Sequence, residues 1–436
     1  MRAFRIAQFV GLGVGILLLT GCPRPPEPPP ATPTPTPLPT PPTPTPPPYV
    51  PNKKLEVGKI FNGMQYHVTL ETEHGTTATH DRNEPGSYSL DLTVKVKVPK
   101  AHHDLDEIKR LNAALPELLP GLPALLDTAK VSPGFDDLYR LKCTALQSSL
   151  MRLDNLLSRH NFFDCETILE LQHAQTKRRA LLIQADMDVD TDGSDPDRVP
   201  EIDGASPTFQ PFTSFRWARK TANASSFVAP REAKLKQYED ELANGNPSAS
   251  RRDDLKQAVA RLRGEIADLK KYSYLIGADD PFIVLPGSLF GKNKGPFAPG
   301  VGDYCVVAYQ KTLYPAIIGD VGPGNLIGEA SLRICKEVNT KSNSENRPVS
   351  ELKVTYLVFP GTAEKYDAPD LAHWREQCQK LLGEIGGFEG NLFTWEDLTK
   401  PKPPPATPAP ATPAPSTPAP ASSPSPLPPA TPKSVP

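Results

Sequence analysis

Two acidic side chains on either side of one tight loop are the residues of this sequence best placed to do chemistry. Leu313-Tyr314-Pro315-Ala316-Ile317-Ile318-Gly319-Asp320 reads as an apolar strand ending on an aspartate. Val321-Gly322-Pro323-Gly324-Asn325 is the loop, and Leu326-Ile327-Gly328-Glu329-Ala330-Ser331 leads into the next strand. With a period of two, Glu329, Ser331 and Arg333 share one face, and Ala330, Leu332 and Ile334 take the other. Such a pair suits general acid/base work, in which the surroundings keep one carboxyl protonated while its partner stays ionised. In glycoside hydrolysis the pair flanks the scissile bond. The same residues also fit plain turn chemistry, an Asp before Gly/Pro and a solvated strand Glu.

A second acidic feature is Asp186, Asp188, Asp190 and Asp192, every second residue up to Gly193. On one side of a strand they would repel one another unless a cation meets them. That cation could be a metal or an amino sugar. Asp188, Asp190, Asp192 and Gly193 match the start of a calcium loop, but Val199 stands where its bidentate Glu belongs. A solvated edge strand that resists edge pairing is the third reading. His74, His80, His102 and His103 have no zinc-site spacing. No Ser/His/Asp arrangement or phosphate loop stands out, so neither a metal nor a cofactor is expected. A formal charge of −2 argues against nucleic acid as the main partner.

The elements that must hold these residues lie between about 52 and 400. Residues 55–73 and 88–98 alternate as strands. Residues 104–129 read as short helices broken at Pro116, Pro120 and Pro123, and 136–160 as a firmer helix that places Cys143 in its core face. A β region starts near Ile168 with a hairpin, 168–174 and 178–190. In the charged block 231–273, Leu255, Val259, Leu262, Ile266 and Leu269 form a coiled-coil seam; Leu235, Tyr238 and Leu242 supply the opposing helix. That block reads as a helical hairpin inserted into one domain. Strands follow at 282–285, 304–309, 313–318, 327–335 and 352–359, with a closing helix at 369–385. Short strands with Gly/Pro turns point to a barrel or sandwich, so the fold class is α+β.

At its acidic residues the sequence resembles the fungal-type chitosanases, glycoside hydrolase family 75. The matching pieces are Asp186 to Gly193, then Thr213-Ser214-Phe215, then 282–286, then the block from Tyr314 to Ser331, in the family's order over about residues 180–335. The resemblance implies a compact β-barrel and an endo-acting enzyme that cleaves chitosan with inversion. By position it makes Asp320 the general base and Glu329 the general acid. Substrate would meet Asp186, Asp188, Asp190, Asp192, Thr213, Ser214 and Tyr314. Pro315 and the loop Val321-Gly322-Pro323-Gly324 depart from the family pattern, and the hairpin insert and residues 52–165 have no counterpart in it.

The ends of the chain set its address. Arg2 and Arg5 precede an apolar run at 6–19, and Leu19-Thr20-Gly21-Cys22 follows. This is a secretory signal resembling the bacterial lipobox, with a lipid expected on Cys22. Residues 23–51 hold 17 prolines and 401–436 hold 16 of the 54 in the chain. Such segments bury no core, and the first reads as a polyproline II tether. The expected organisation is therefore a signal at 1–22, a linker at 23–51 and a strand/helix region of unknown role at 52–165. A catalytic domain at 166–400 carries the 231–273 insert, and a Pro/Ala-rich tail fills 401–436. The expected location is the bacterial cell envelope. Pro23 offers no inner-membrane retention signal, so an outer-membrane address follows for a Gram-negative host. The competing function is a non-catalytic lipoprotein that binds peptidoglycan or another amino-sugar glycan.

Overall fold

The computed structural model describes residues 76–84, 86–87, 93–150, 163–202, 208–291 and 294–400, with residues 72, 74 and 206. Cys22, both proline-rich arms and nearly all of the expected strand at 55–73 lie outside the described residues. The strands in chain order are β1 (Lys130–Val131), β2 (Cys165–Gln172), β3 (Arg179–Asp190), β4 (Arg216–Ala218), β5 (Tyr272–Tyr274), β6 (Phe282–Pro286), β7 (Tyr304–Tyr309), β8 (Thr312–Gly322), β9 (Glu329–Ser331), β10 (Val349–Val358) and β11 (Asn391–Leu392). The helices are α1 (Ala78–Asn83), α2 (Leu105–Leu111), α3 (Leu115–Leu118), α4 (Leu122–Leu126), α5 (Pro133–Ser149), α6 (Val228–Asn244), α7 (Ala249–Lys271), α8 (Leu332–Val338) and α9 (Leu371–Glu384).

Six strands close on themselves in the order β3-β10-β7-β8-β6-β9, because β9 pairs back onto β3. β3 is long enough to carry β2 along its first part and β9 along its last. Alternation sorts the side chains into two layers. Ile183, Ala185 and Met187 of β3 join Val307, Ala316, Ile318, Ile283, Ala330 and Tyr356 from the other strands in one cluster, the barrel interior. The opposite set, including Leu182, Val306, Leu313, Phe282 and Leu357, packs against helices. Those helices are α2 to α4, with Ile108, Leu115, Leu118 and Leu122, and α9, with Trp374, Leu381 and Leu382. Pro116 and Pro123 sit in the first turns of α3 and α4, where a missing N–H costs nothing.

The inserted hairpin is α6 and α7. The seam residues Leu255, Val259, Leu262, Ile266 and Leu269 are all buried, and Arg231–Glu265, Arg263–Glu239 and Lys270–Glu232 pair across the two helices. The seam is thus satisfied within one chain.

Three sequence expectations change. Residues 93–98 form no strand: Val94 and Val96 are half-buried and the lysines exposed, but no described strand supplies a ladder. The strand expected at 327–335 stops at Ser331 and continues as α8, so Arg333 leaves the face of Glu329. There Arg333 lies 5.2 Å over the Trp395 ring. Cys143 is exposed, because the buried stripe of α5 runs through Leu138, Lys142 and Leu146 at i, i+4, i+8. Cys143, Cys165, Cys305, Cys335 and Cys378 are free thiols, all but the first buried.

Candidate active site

Strand register brings the acidic residues into one row. Asp188 of β3 pairs with Glu329 of β9, Glu329 with Val284 of β6, and Val284 with Asp320 of β8. Paired residues share a face, so three carboxylates stand in line across four strands on the outside of the barrel. Adjacent strands are about 4.8 Å apart, which puts the backbones of Glu329 and Asp320 roughly 9–10 Å from each other.

Asp320 joins this row through a β-bulge. Ile283 pairs with Ile318 but Val284 with Asp320, so one residue, Gly319, is skipped. Ile318 points into the barrel, and the extra residue turns Asp320 to the opposite face. Only glycine fits at 319: a Cβ would lie 2.6 Å from the Phe282 ring and 2.7 Å from Leu275. Gly322 keeps space open on the same face, where a Cβ would sit 3.7 Å from a Glu329 carboxylate oxygen.

The two carboxyls meet different surroundings. Asp320 Oδ1 accepts from the Ser214 N–H at 3.0 Å, the Ser214 hydroxyl at 2.5 Å and the Val321 N–H at 2.7 Å. Burial raises its pKa, and these three bonds pull it back down. For Glu329, burial raises the pKa well above the ordinary range, and the charges of Asp190, Asp188, Asp320 and Asp192 add to it. Asp190 is pushed up to about 8, by burial first and then by the charge of Asp192. Burial moves Asp192 to about 6, against a hydrogen bond from the Gln210 N–H at 2.8 Å. The Asp192 N–H in turn donates to Asp190 Oδ1 at 2.6 Å.

Part of the acidic row already has its cation. Arg347, in the segment before β10, lies 2.5 Å from Asp186 and 2.8 Å from Asp188. Both aspartates are buried, as is most of the arginine. Sequence reasoning missed Arg347: it lies in the polar stretch 339–348, remote in sequence from the aspartates, and meets them only through tertiary pairing. The one available signal was the unbalanced charge of the row itself.

The remaining predicted residues divide. Ser214 is at the site, fixed to Asp320. Thr213 beside it is buried, donating to the Phe215 carbonyl at 2.8 Å and accepting from the Leu275 N–H at 3.3 Å, so its hydroxyl shapes the loop. Tyr314 lies on the interior side of β8, 5.3 Å from the Phe393 ring and 6.0 Å from Trp395, away from the carboxylate row. Among the described residues, no group of three or more His, Cys, Asp or Glu side chains is placed to hold a metal ion.

A barrel with two carboxylates two strands apart, one crowded by acids and one held by donors, has the equipment of a glycoside hydrolase. Comparison with known families narrows this class. Residues 187–386 match the model of the fungal chitosanases of glycosyl hydrolase group 75, so the resemblance read from the sequence holds and runs on through β10 and α9. No curated protein matches the chain. The match supports a chitosan-degrading glycoside hydrolase.

Proposed function

We propose that this protein is a lipid-anchored, endo-acting hydrolase that cleaves chitosan or a related amino-sugar polymer with inversion of configuration. The observation carrying this reading is the register that sets Glu329 and Asp320 two strands apart with Val284 between them. Inverting enzymes need their carboxyls about 6.5–9.5 Å apart, so that a water fits beside the sugar. Retaining enzymes need about 5–5.5 Å, the reach of neighbouring strands.

Glu329 acts as the acid. Burial and four surrounding aspartates keep its proton, which passes to the glycosidic oxygen as the bond to the anomeric carbon breaks. The positive charge that develops on the sugar faces the same acidic row, which stabilises it. Asp320 acts as the base. It takes a proton from the water whose oxygen bonds to the anomeric carbon on the opposite face, while Ser214 and Val321 hold its carboxylate in place. An ammonium group of the substrate entering beside Asp190 and Asp192 would draw both to their ionised forms, as Arg347 serves Asp186 and Asp188 at the other end of the row.

The rate then falls at low pH as Asp320 takes a proton, and at high pH as Glu329 loses one. Both limbs lie above the ordinary carboxylate range, because burial raises both groups. Glu329→Gln and Asp320→Asn should each lower the release of reducing ends from chitosan by about 10²–10⁴-fold with the fold intact. The first-formed product of the native protein should carry the anomer opposite to the substrate's, seen by NMR during the reaction. Full activity in either variant would sink the assignment. Measurable glycan binding with unaltered polymer length would favour a non-catalytic glycan-binding module.

A further inference from the structure

The inserted hairpin supplies one wall of a groove that opens beside Asp320. α7 runs without a break into β5, and β5 pairs with β4, with Tyr274 opposite Arg216. β4 begins two residues after Ser214, which holds Asp320. The groove encloses about 470 Å³, and Phe212, Ser214, Arg216, Glu265, Asp268 and Tyr274 line it. Ligand sites span about 300–1,000 Å³.

Its wall combines aromatic rings with carboxylates that each meet an arginine. Phe212 is half-buried, meets Tyr274 edge-on at 5.3 Å and has the Arg231 guanidinium 5.4 Å from its ring centre, so the sugar's C–H face would stack on a mixed aromatic and cationic wall. Glu265 and Asp268 sit one helical turn apart, beside the buried seam positions Leu262, Ile266 and Leu269. Glu265 is already met by two cations, Arg231 at 2.9 Å across the hairpin and Arg261 at 3.5 Å on its own helix, which leaves Asp268 as the more open acid. Asp268 pairs with Arg216 at 2.7 Å, with 42% of each side chain exposed. So exposed a pair is weakly bound, and an arriving ammonium can share its carboxylate.

We infer that this groove binds the continuation of the polysaccharide chain beyond the scissile bond, with an ammonium group meeting Asp268. The hairpin thereby makes the protein favour long chains over short ones. This rests on the proposed function. The test uses the full chain with Glu329→Gln as a non-cutting host, alone and with Asp268→Lys, titrated calorimetrically with chitosan oligosaccharides of increasing length. Asp268 is half-buried and paired with Arg216, so circular dichroism checks that the lysine variant is folded, and Phe212→Ala serves as the uncharged second variant.

The expected result is a loss of affinity that grows with length, to roughly ten-fold for the longest oligomers, the scale of one charge-assisted contact. Fully acetylated oligomers should lose little with Asp268→Lys and more with Phe212→Ala. An equal loss at every length, or none at any, would overturn the inference. A native protein that cuts chitosan while the variants show no length dependence removes the groove alone. A native protein that leaves chitosan uncut removes the proposed function.

Discussion

Asp190 shows how one side chain can tie folding to pH in this site. Burial and Asp192 raise its folded pKa to about 8, far above its value in the unfolded chain. Between those two values the folded state holds a proton that the unfolded state has released. Stability is therefore fully present below the unfolded value and is lost as pH rises through about 8. Asp190→Asn keeps the oxygen that accepts from the Asp192 N–H and removes the ionisation. Its melting temperature should match the native one near pH 4 and exceed it by a few degrees at pH 8, measured by calorimetry; equal values at both pH settings would refute the argument. At this scale the sequence was partly readable. Alternation found the acidic row and the Asp320–Glu329 pair, because spacing is local information. Arg347 and the two-strand separation were not readable, since both arise from pairings between distant segments.

Among the elements, α5 does more than cover the barrel. Lys142 is buried, and its Nζ donates to Asp164 at 2.6 Å and to the Asn325 carbonyl, also at 2.6 Å. The Ser288 hydroxyl donates to the neighbouring Gly324 carbonyl at 2.7 Å. The loop between Asp320 and Glu329 is thus held partly by Ser288 and partly by a helix outside the family match. Lys142→Met alone leaves Asp164 unpaired in the core and should cost about 3–5 kcal/mol. Combined with Asp164→Asn it restores most of that stability while leaving the loop only its Ser288 bond. The double variant should show a kcat several-fold lower with KM little changed, at temperatures where circular dichroism shows it folded. An unchanged kcat would mean that the loop holds itself. Periodicity revealed most elements: the β2–β3 hairpin, the seam of α7, and β6, β7 and β10. It failed at 327–335, where Ala330, Leu332 and Ile334 alternate correctly but Leu332, Cys335 and Val338 also suit a helix, and only β9's short pairing decides. It failed again at 93–98, where a strand pattern met no partner. The closure of β9 onto β3 leaves no local trace at all.

For the whole molecule, the proposed lipid anchor at Cys22 is the feature to test. Made in a bacterium, the native chain should incorporate labelled palmitate and sediment with membranes. Cys22→Ser should take up no label and appear in the soluble fraction with unaltered activity on chitosan; palmitate on the serine variant would disprove the tether. Within the barrel, the distance between Asp320 and Glu329 follows from the hydrogen-bonded lattice of the sheet, with β6 as its spacer. No point mutation at either carboxylate shortens it. The acid one strand from Glu329 is Asp188, and Arg347 already occupies it. On the proposed mechanism, a descendant of this fold could change its substrate by altering loops, but to change its stereochemistry it would have to rebuild the sheet.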